Sequence, residues 1–127
     1  MRNFYRLLMF AVLAAAVVGL SGCKASLMWS GNDYPGRFEA SYRYFSGSET
    51  KSIHADSGKV ISITYQSAVT KGNLSMKVYD PNGEQVLDLK PGNKGTEEIK
   101  VTDGGNYKLV ITGSKTSGSF DIRWKVK

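Results

Sequence analysis

The sequence predicts an all-β protein: an antiparallel, eight-stranded β-sandwich that follows an N-terminal signal helix. From Arg37 onward, apolar and polar residues alternate in short runs, which is the period of a half-buried strand. Turn-forming residues, mostly Gly with Asp, Asn or Ser, separate these runs. No window of this region carries a long apolar stripe at the 3.6-residue period of a helix. Short alternating strands at this spacing favour two packed antiparallel sheets.

Four strands are expected in the first half of this region, each followed by a Gly-containing turn. In each, one side of the strand is apolar and is expected to face the core. The four runs and their inward sets are 37–44 with Phe38, Ala40, Tyr42 and Tyr44; 50–55 with Ile53 and Ala55; 59–67 with Ile61, Ile63 and Tyr65; and 74–80 with Leu74, Met76 and Val78.

Four more strands are expected after the clearest turn of the chain, Asp80-Pro81-Asn82-Gly83. Pro at the second position of this turn presets φ and Gly at the fourth tolerates positive φ, so a tight hairpin is expected. The four runs and their inward sets are 84–89 with Gln85, Leu87 and Leu89; 96–101 with Ile99 and Val101; 106–112 with Tyr107, Leu109 and Ile111; and 119–126 with Phe120, Ile122, Trp124 and Val126.

The first 22 residues have the layout of a signal peptide. Arg2 and Arg6 precede an uncharged apolar run, 7–20, and small residues follow it. As a helix this run would be about 21 Å long, which is short of the roughly 30 Å hydrocarbon core of a bilayer. The segment is therefore predicted to be a cleaved signal helix and not a permanent membrane span.

The end of this run, Leu20-Ser21-Gly22-Cys23, resembles the lipobox of bacterial lipoproteins at all four positions. The resemblance implies transfer of a diacylglyceryl group to the sulfur of Cys23 and cleavage between Gly22 and Cys23. Two acyl chains anchor a protein stably, whereas one gives only marginal binding. Cys23 is the only cysteine of the chain, so no disulfide is expected. The resemblance thus predicts a lipid-anchored protein on the extracytoplasmic face of the cell membrane.

The mature chain is predicted to be a lipidated tether, 23–36, and one β-sandwich domain, 37–127. The tether is rich in turn-forming residues, and its aromatic residues Trp29 and Tyr34 are expected to dock on the domain, with the membrane interface as the alternative. The mature part keeps 15 of the 17 basic residues and all 11 acidic ones, a formal net charge of +4. Export and the lack of an Arg-rich cluster argue against nucleic acid as a partner.

A second resemblance covers about residues 48–126. The strand 74–79 with its Asp80-Pro81-Asn82-Gly83 turn, then 105–111, then Ser117-Gly118-Ser119-Phe120, resemble the bacterial pre-peptidase C-terminal domain and similar small sandwich modules. This implies a jelly-roll-like sandwich that acts as an accessory or binding module without catalytic activity. The whole mature chain also resembles small single-domain lipoproteins of Gram-positive bacteria, for which the fold implies no particular activity.

Catalytic and metal sites are not predicted, and no cofactor is expected. His54 is the only histidine, no Gly-x-Ser-x-Gly motif is present, and one His with one lipidated Cys cannot complete a zinc site. Calcium is the least implausible metal, because Asp80, Asn82 and Glu84 alternate around a turn. These residue types are also the ones that β-turns favour.

The predicted function is a non-catalytic binding or interaction module, with an envelope protein or a polysaccharide as its partner. Two alternatives stay open: a small envelope hydrolase with a carboxylate pair, and a carbohydrate-binding module with exposed aromatic rings. Phe45 and Tyr79 are the candidate stacking residues, because the alternation places each opposite the inward set. The hydrolase alternative requires an acid of raised pKa in a cleft.

Overall fold

A computed structural model describes residues 25–27 and 30–127. The lipobox, the predicted signal helix and Trp29, for which docking is predicted, lie outside these residues. The described part contains seven antiparallel strands: β1 (Ala25–Leu27), β2 (Ser30–Tyr34), β3 (Arg37–Ala55), β4 (Val60–Tyr79), β5 (Gln85–Leu89), β6 (Lys94–Lys100) and β7 (Gly105–Val126). Within it, no helix is long and apolar enough to cross a membrane. Because every regular element of the described residues is a strand, the all-β prediction is confirmed.

The three longest strands, β3, β4 and β7, fold back on themselves. At one end of β7, Gly105 pairs with Ala55, and at the other end Val126 pairs with Ile61. A straight strand would separate these two pairs by about 70 Å. The chain between Ala55 and Ile61 spans at most about 20 Å. The strands must therefore bend near their middle, and the continuous hydrogen-bonded sheet becomes two layers of a sandwich.

The first layer has the strand order β2, β3, β7, β4, β6, and the second has β3, β7, β4, β5. The bends lie side by side at residues 43–47, 69–73 and 113–118, which together form what we call the bend end. At the opposite, loop end lie the turns 35–36, 56–59, 80–84 and 101–104. The registers of all three long strands are irregular at the bend end.

One core fills the space between the layers, and 20 buried apolar side chains contribute to it. In β3 the buried positions are even-numbered up to Tyr42 and odd-numbered from Phe45, and β4 and β7 change parity in the same way at their bends. The irregular registers cause this change, so each strand keeps its apolar side inward after it has crossed to the other layer. Nearly all of the predicted inward residues are buried; Tyr44, Leu87 and Trp124 are half-buried, and Gln85 and Val126 are exposed.

The predicted division into strands is wrong in two respects. Three of the expected turns, at residues 46–48, 71–73 and 113–118, are bends within continuous strands, so six predicted strands are the halves of β3, β4 and β7. Conversely, the predicted tether contains β1 and β2, which pair with β3. The backbone of 25–27 and 30–34 thus extends the first layer, because its amide and carbonyl groups complete the edge of β3.

Candidate ligand-binding site

A cleft opens between the two layers at the loop end, and we call it the loop-end cleft. The turn between β2 and β3 forms one wall, the second half of β3 forms another, and the last residues of β7 form the floor. Its volume is about 520 Å³. Its lining residues are Asp33, Tyr34, Pro35, Gly36, Lys51, Ser52, Ile53, His54, Trp124 and Val126.

Apolar side chains are exposed mainly in this cleft. Among the described residues, three large hydrophobic side chains are exposed: Tyr34 at 50 %, Val126 at 39 % and Val86 at 39 %. Tyr34 and Val126 both line the cleft. Trp124, also in the lining, is half-buried and packs against the core. Two aromatic residues therefore line one depression, and one of them is half exposed.

The turn that carries Tyr34 is held firmly against β7. The backbone N–H of Trp124 donates a hydrogen bond to the carbonyl oxygen of Gly36 over 2.9 Å. Gly36 has a φ of 79°, and a Cβ there would lie 3.0 Å from the carbonyl oxygen of Trp124. Only glycine fits this approach without strain. This contact holds the backbone of the turn after Tyr34 next to that of Trp124.

The polar wall of the cleft contains an ion pair between Lys51 and Asp33. Lys51 lies on the inward side of β3, with 21 % of its side chain exposed, and its ammonium group is 4.4 Å from the centre of the Phe38 ring. Contact with the ring face and with a carboxylate offsets the loss of water around the ammonium group. Nearby, the exposed His54 contacts Asn106 (Nδ1 to Oδ1, 3.1 Å) and Asp56 (Nε2 to Oδ1, 3.4 Å).

A second feature, which we call the polar groove, crosses the outer face of the first layer. It consists of two adjoining depressions of about 460 and 490 Å³ that share Gln66 and Asp121. Long polar side chains stand in one cross-strand row, and a neighbouring row of small side chains leaves space beside them. The first row is Asn32, Glu39, Asp121, Gln66 and Lys94, and the second is Ser30, Ser41, Ser119 and Ala68.

A network of ion pairs fixes the centre of the polar groove. The Arg37 guanidinium lies 2.7 Å from a carboxylate oxygen of Glu39 and 3.1 Å from one of Asp121, and Arg123 lies 3.4 Å from Asp121. Burial acts to raise the pKa of Asp121, but hydrogen bonds from Arg37 and Arg123 outweigh it and lower that pKa. Asp121 is therefore held as a carboxylate that accepts hydrogen bonds.

The prediction that Phe45 offers an exposed ring is wrong. Phe45 is fully buried, and its ring meets Tyr42 edge-on with the centroids 5.5 Å apart. The alternation that placed it outward holds only for a regular strand, and the bend at 43–47 turns it inward. Tyr79 is half-buried on the outer face of the second layer, where it pairs with Lys108. Its role in stacking stays a prediction.

The predicted turn at Asp80-Pro81-Asn82-Gly83 is confirmed. The N–H of Gly83 donates to the Asp80 carbonyl oxygen over 3.0 Å, and Asp80 Oδ1 accepts the N–H groups of Asn82 and Glu84 at 2.9 and 2.8 Å. The Asp80 carboxylate, a candidate calcium ligand, thus takes part in the turn itself. Within the described residues, no group of three or more His, Cys, Asp or Glu side chains is placed to hold a metal ion.

The sequence predicts Tyr34 in a tether and Trp124 among the inward residues of the last strand, and it does not predict that they line one cleft. The signal that could have done so is Pro35-Gly36, a turn that places Tyr34 opposite the start of the next strand. Pairing of that strand with the last one, which brings Arg37 opposite Arg123, then carries Tyr34 toward Trp124. Only the tertiary structure shows this second step.

Neither a protein-family model nor a curated protein sequence matches the chain. Solved β-sandwich structures are similar to it. They include PliG of Aeromonas hydrophila, a periplasmic inhibitor of g-type lysozyme (12 % identity, 70 % of this chain and 84 % of that one, TM-score 0.47). TmCBM61 in complex with β-1,4-galactotriose is similar at 12 % identity (79 % and 88 %, TM-score 0.47). The module CBM6cm-2 of Cellvibrio mixtus lichenase 5A, in complex with cellotriose, is similar at 14 % identity (82 % and 89 %, TM-score 0.41).

Proposed function

We propose that the mature protein is a non-catalytic, membrane-anchored β-sandwich module that binds saccharide in the loop-end cleft. The observation that carries the proposal is the concentration of exposed apolar surface there. Two of the three exposed large hydrophobic side chains of the described residues, Tyr34 and Val126, line this cleft together with Trp124. Scattered exposed apolar residues are ordinary, whereas a cluster in a concave site marks a binding surface.

The chemistry of the cleft suits a sugar ring. An aromatic face can cover the C–H face of a pyranose, and ring hydroxyls need both donors and acceptors around the edge. The lining includes the aromatic residues Tyr34 and Trp124, the Lys51 ammonium donates and the Asp33 carboxylate accepts, whereas the side chains of Ser52 and His54 lie on the other side of β3. Its volume of about 520 Å³ lies within the range of small-ligand pockets, roughly 300–1,000 Å³.

The proposed location is the extracytoplasmic face of the membrane, with the lipid on Cys23 as the anchor. This part of the proposal is supported by the lipobox Leu20-Ser21-Gly22-Cys23 and by the basic, then apolar, residues before it. A polysaccharide of the cell envelope is the partner that such a location offers. An anchored module with a saccharide site would hold the membrane and that polymer together.

Tyr34→Ala and Trp124→Ala test the cleft. We expect each to weaken saccharide binding by the full chain about tenfold or more, equivalent to about 1.4 kcal/mol, because each removes one ring face. Binding is measured by co-sedimentation with insoluble envelope polysaccharides and by calorimetry with soluble oligosaccharides. Tyr34 is half exposed, so its variant tests the ring with little effect on the core, and thermal unfolding checks that both variants fold.

Gln66→Ala in the polar groove is the matched control and should leave saccharide binding unchanged. If Gln66→Ala weakens binding while Tyr34→Ala does not, the polar groove is the site. If no polysaccharide or oligosaccharide binds the unmodified chain, the proposed function is wrong.

The hydrolase alternative is less well supported by the geometry. Glu39 and Asp121 are neighbours across β3 and β7, and they form the carboxylate pair of the polar groove. Arg37 bridges both, and the pKa of Asp121 is lowered. A general acid needs the opposite shift, so that it still carries a proton at working pH. The arrangement suits two carboxylates that accept hydrogen bonds.

A further inference from the structure

The chain enters the domain at the bend end. In β1, Ala25 pairs with Ser46 and Leu27 pairs with Tyr44, so the first described residues lie beside the bend of β3. Cys23 is two residues before Ala25, and two residues span at most about 7 Å. A lipid on Cys23 therefore enters the bilayer close to the bend end, and the paired strand leaves little slack.

The bend end is basic. One exposed basic residue lies at the bend of each long strand: Arg43 in β3, Lys71 in β4 and Lys115 in β7. The three segments around them, 40–48, 67–75 and 112–120, contain no Asp or Glu. At the loop end, by contrast, the turns carry Asp56, Asp80, Glu84 and Asp103, with Lys59 as the basic residue among them. The bends at one end and the turns at the other thus differ in the sign of their charge.

We propose that the bend end is a docking surface for anionic lipid headgroups, which holds the domain with the loop-end cleft directed away from the bilayer. This inference rests on the lipid anchor of the proposed function. Charge complementarity and the point where the chain leaves the structure both indicate the membrane as the occupant. Each basic side chain held near an anionic leaflet favours the docked state about fivefold, and three together on the order of a hundredfold at low salt.

Site-directed spin labelling tests the docking. Cys23 is the only cysteine and is consumed by the lipid, so one introduced cysteine gives a unique label. Ser114→Cys places the label at the bend end, and Thr102→Cys places it at the loop end, both at exposed positions. The lipidated protein is purified from membranes and reconstituted into phosphatidylcholine vesicles, with and without phosphatidylglycerol. Collision with a water-soluble nickel complex then reports the accessibility of each label.

We expect the label at position 114 to become severalfold less accessible when phosphatidylglycerol is present, and the label at 102 to stay accessible. The triple variant Arg43→Gln, Lys71→Gln, Lys115→Gln should abolish this protection. A control triple variant with the same net charge, Lys59→Gln, Lys100→Gln, Lys108→Gln, should retain it. All six basic side chains are exposed, so folding should be preserved.

Vesicle flotation separates the two ways in which the inference can fail. Protein that floats with the vesicles but shows equal accessibility at 102 and 114 overturns the docking surface while the anchor stands. Protection at 114 that is unchanged in the Arg43, Lys71 and Lys115 variant also overturns it. Protein that does not float overturns the anchor and the docking together. None of these results depends on whether saccharide binds.

Discussion

Single charged residues fix the geometry of the loop-end cleft and of the polar groove. Lys51 is directed inward at the mouth of the sandwich, and its contacts with Asp33 and the Phe38 ring tie β2 to both halves of β3. Asp121, with 15 % of its side chain exposed, ties β7 to β3 through Arg37. Neither role could be inferred from alternation along a strand, because each partner lies on a distant part of the sequence.

The lowered pKa of Asp121 predicts how stability depends on pH. A carboxyl whose pKa is lower in the folded state contributes stability above its ordinary pKa of 3.8, and that contribution is lost as the pH falls through the folded value. Asp121→Asn should therefore lower the free energy of unfolding by about 1–3 kcal/mol at neutral pH. It should also flatten the loss of stability toward acid pH, as measured by urea unfolding at several pH values.

Glu98→Gln is the control for this measurement. Glu98 pairs with Lys127 at 3.0 Å, but about half of each side chain is exposed, so the change should cost less than about 1 kcal/mol. If Asp121→Asn and Glu98→Gln lower the free energy of unfolding equally at neutral pH, the network around Asp121 stabilises the fold no more than an exposed ion pair does.

The bent strand is the element that defines this fold. Each of β3, β4 and β7 contributes to both layers, so most of the core side chains come from three continuous strands. At the bend end the strands approach closely. A Cβ on Gly118 (φ 148°) would lie 1.9 Å from the carbonyl oxygen of Ala68, and one on Gly72 (φ 70°) would lie 2.2 Å from that of Lys115. The bend therefore requires glycine at both positions.

Gly118→Ala should destabilise the protein by about 2–4 kcal/mol, because the new methyl group forces β7 and β4 apart and the φ of 148° disfavours it. Thermal or urea unfolding measures the loss. Gly83→Ala is the matched control: its φ is 85°, but nothing lies within 4 Å of the added Cβ. It should cost about 1 kcal/mol from backbone strain alone. Similar losses in the two variants would contradict the close approach at the bend.

At the scale of elements, alternation predicts well which side chains are buried. It predicts poorly where one strand ends and the next begins. Ile61, Ile63, Leu109 and Ile111 are fully buried as expected, since a period of two needs only local geometry. The same glycines that indicate turns, such as Gly47 and Gly72, can also sit in a bulge within a strand. Hydrogen bonds to neighbouring strands decide between the two, and these are not local.

The whole molecule has a basic end and an opposite end with a cleft, and we propose a lipid anchor on Cys23. The anchor is the part to test first, by mass spectrometry of the protein extracted from membranes. We expect a mature N-terminus at Cys23 with the mass of a diacylglyceryl group, and Cys23→Ala should remain uncleaved or be mislocalised. An unmodified N-terminus cut elsewhere would instead make this a secreted domain with an exposed, reactive thiol.

The sequence by itself determined the all-β class, nearly every core residue and the Asp80-Pro81-Asn82-Gly83 turn, because these depend on side-chain period and local backbone preference. It also predicts the location at the membrane, which rests on the four residues Leu20-Ser21-Gly22-Cys23. Only the tertiary structure decided that three pairs of predicted strands are single bent strands, that Phe45 is buried, and that Tyr34 and Trp124 share a cleft. Each of these depends on which strands pair and where the sheet folds over, and the residues involved are far apart in the chain.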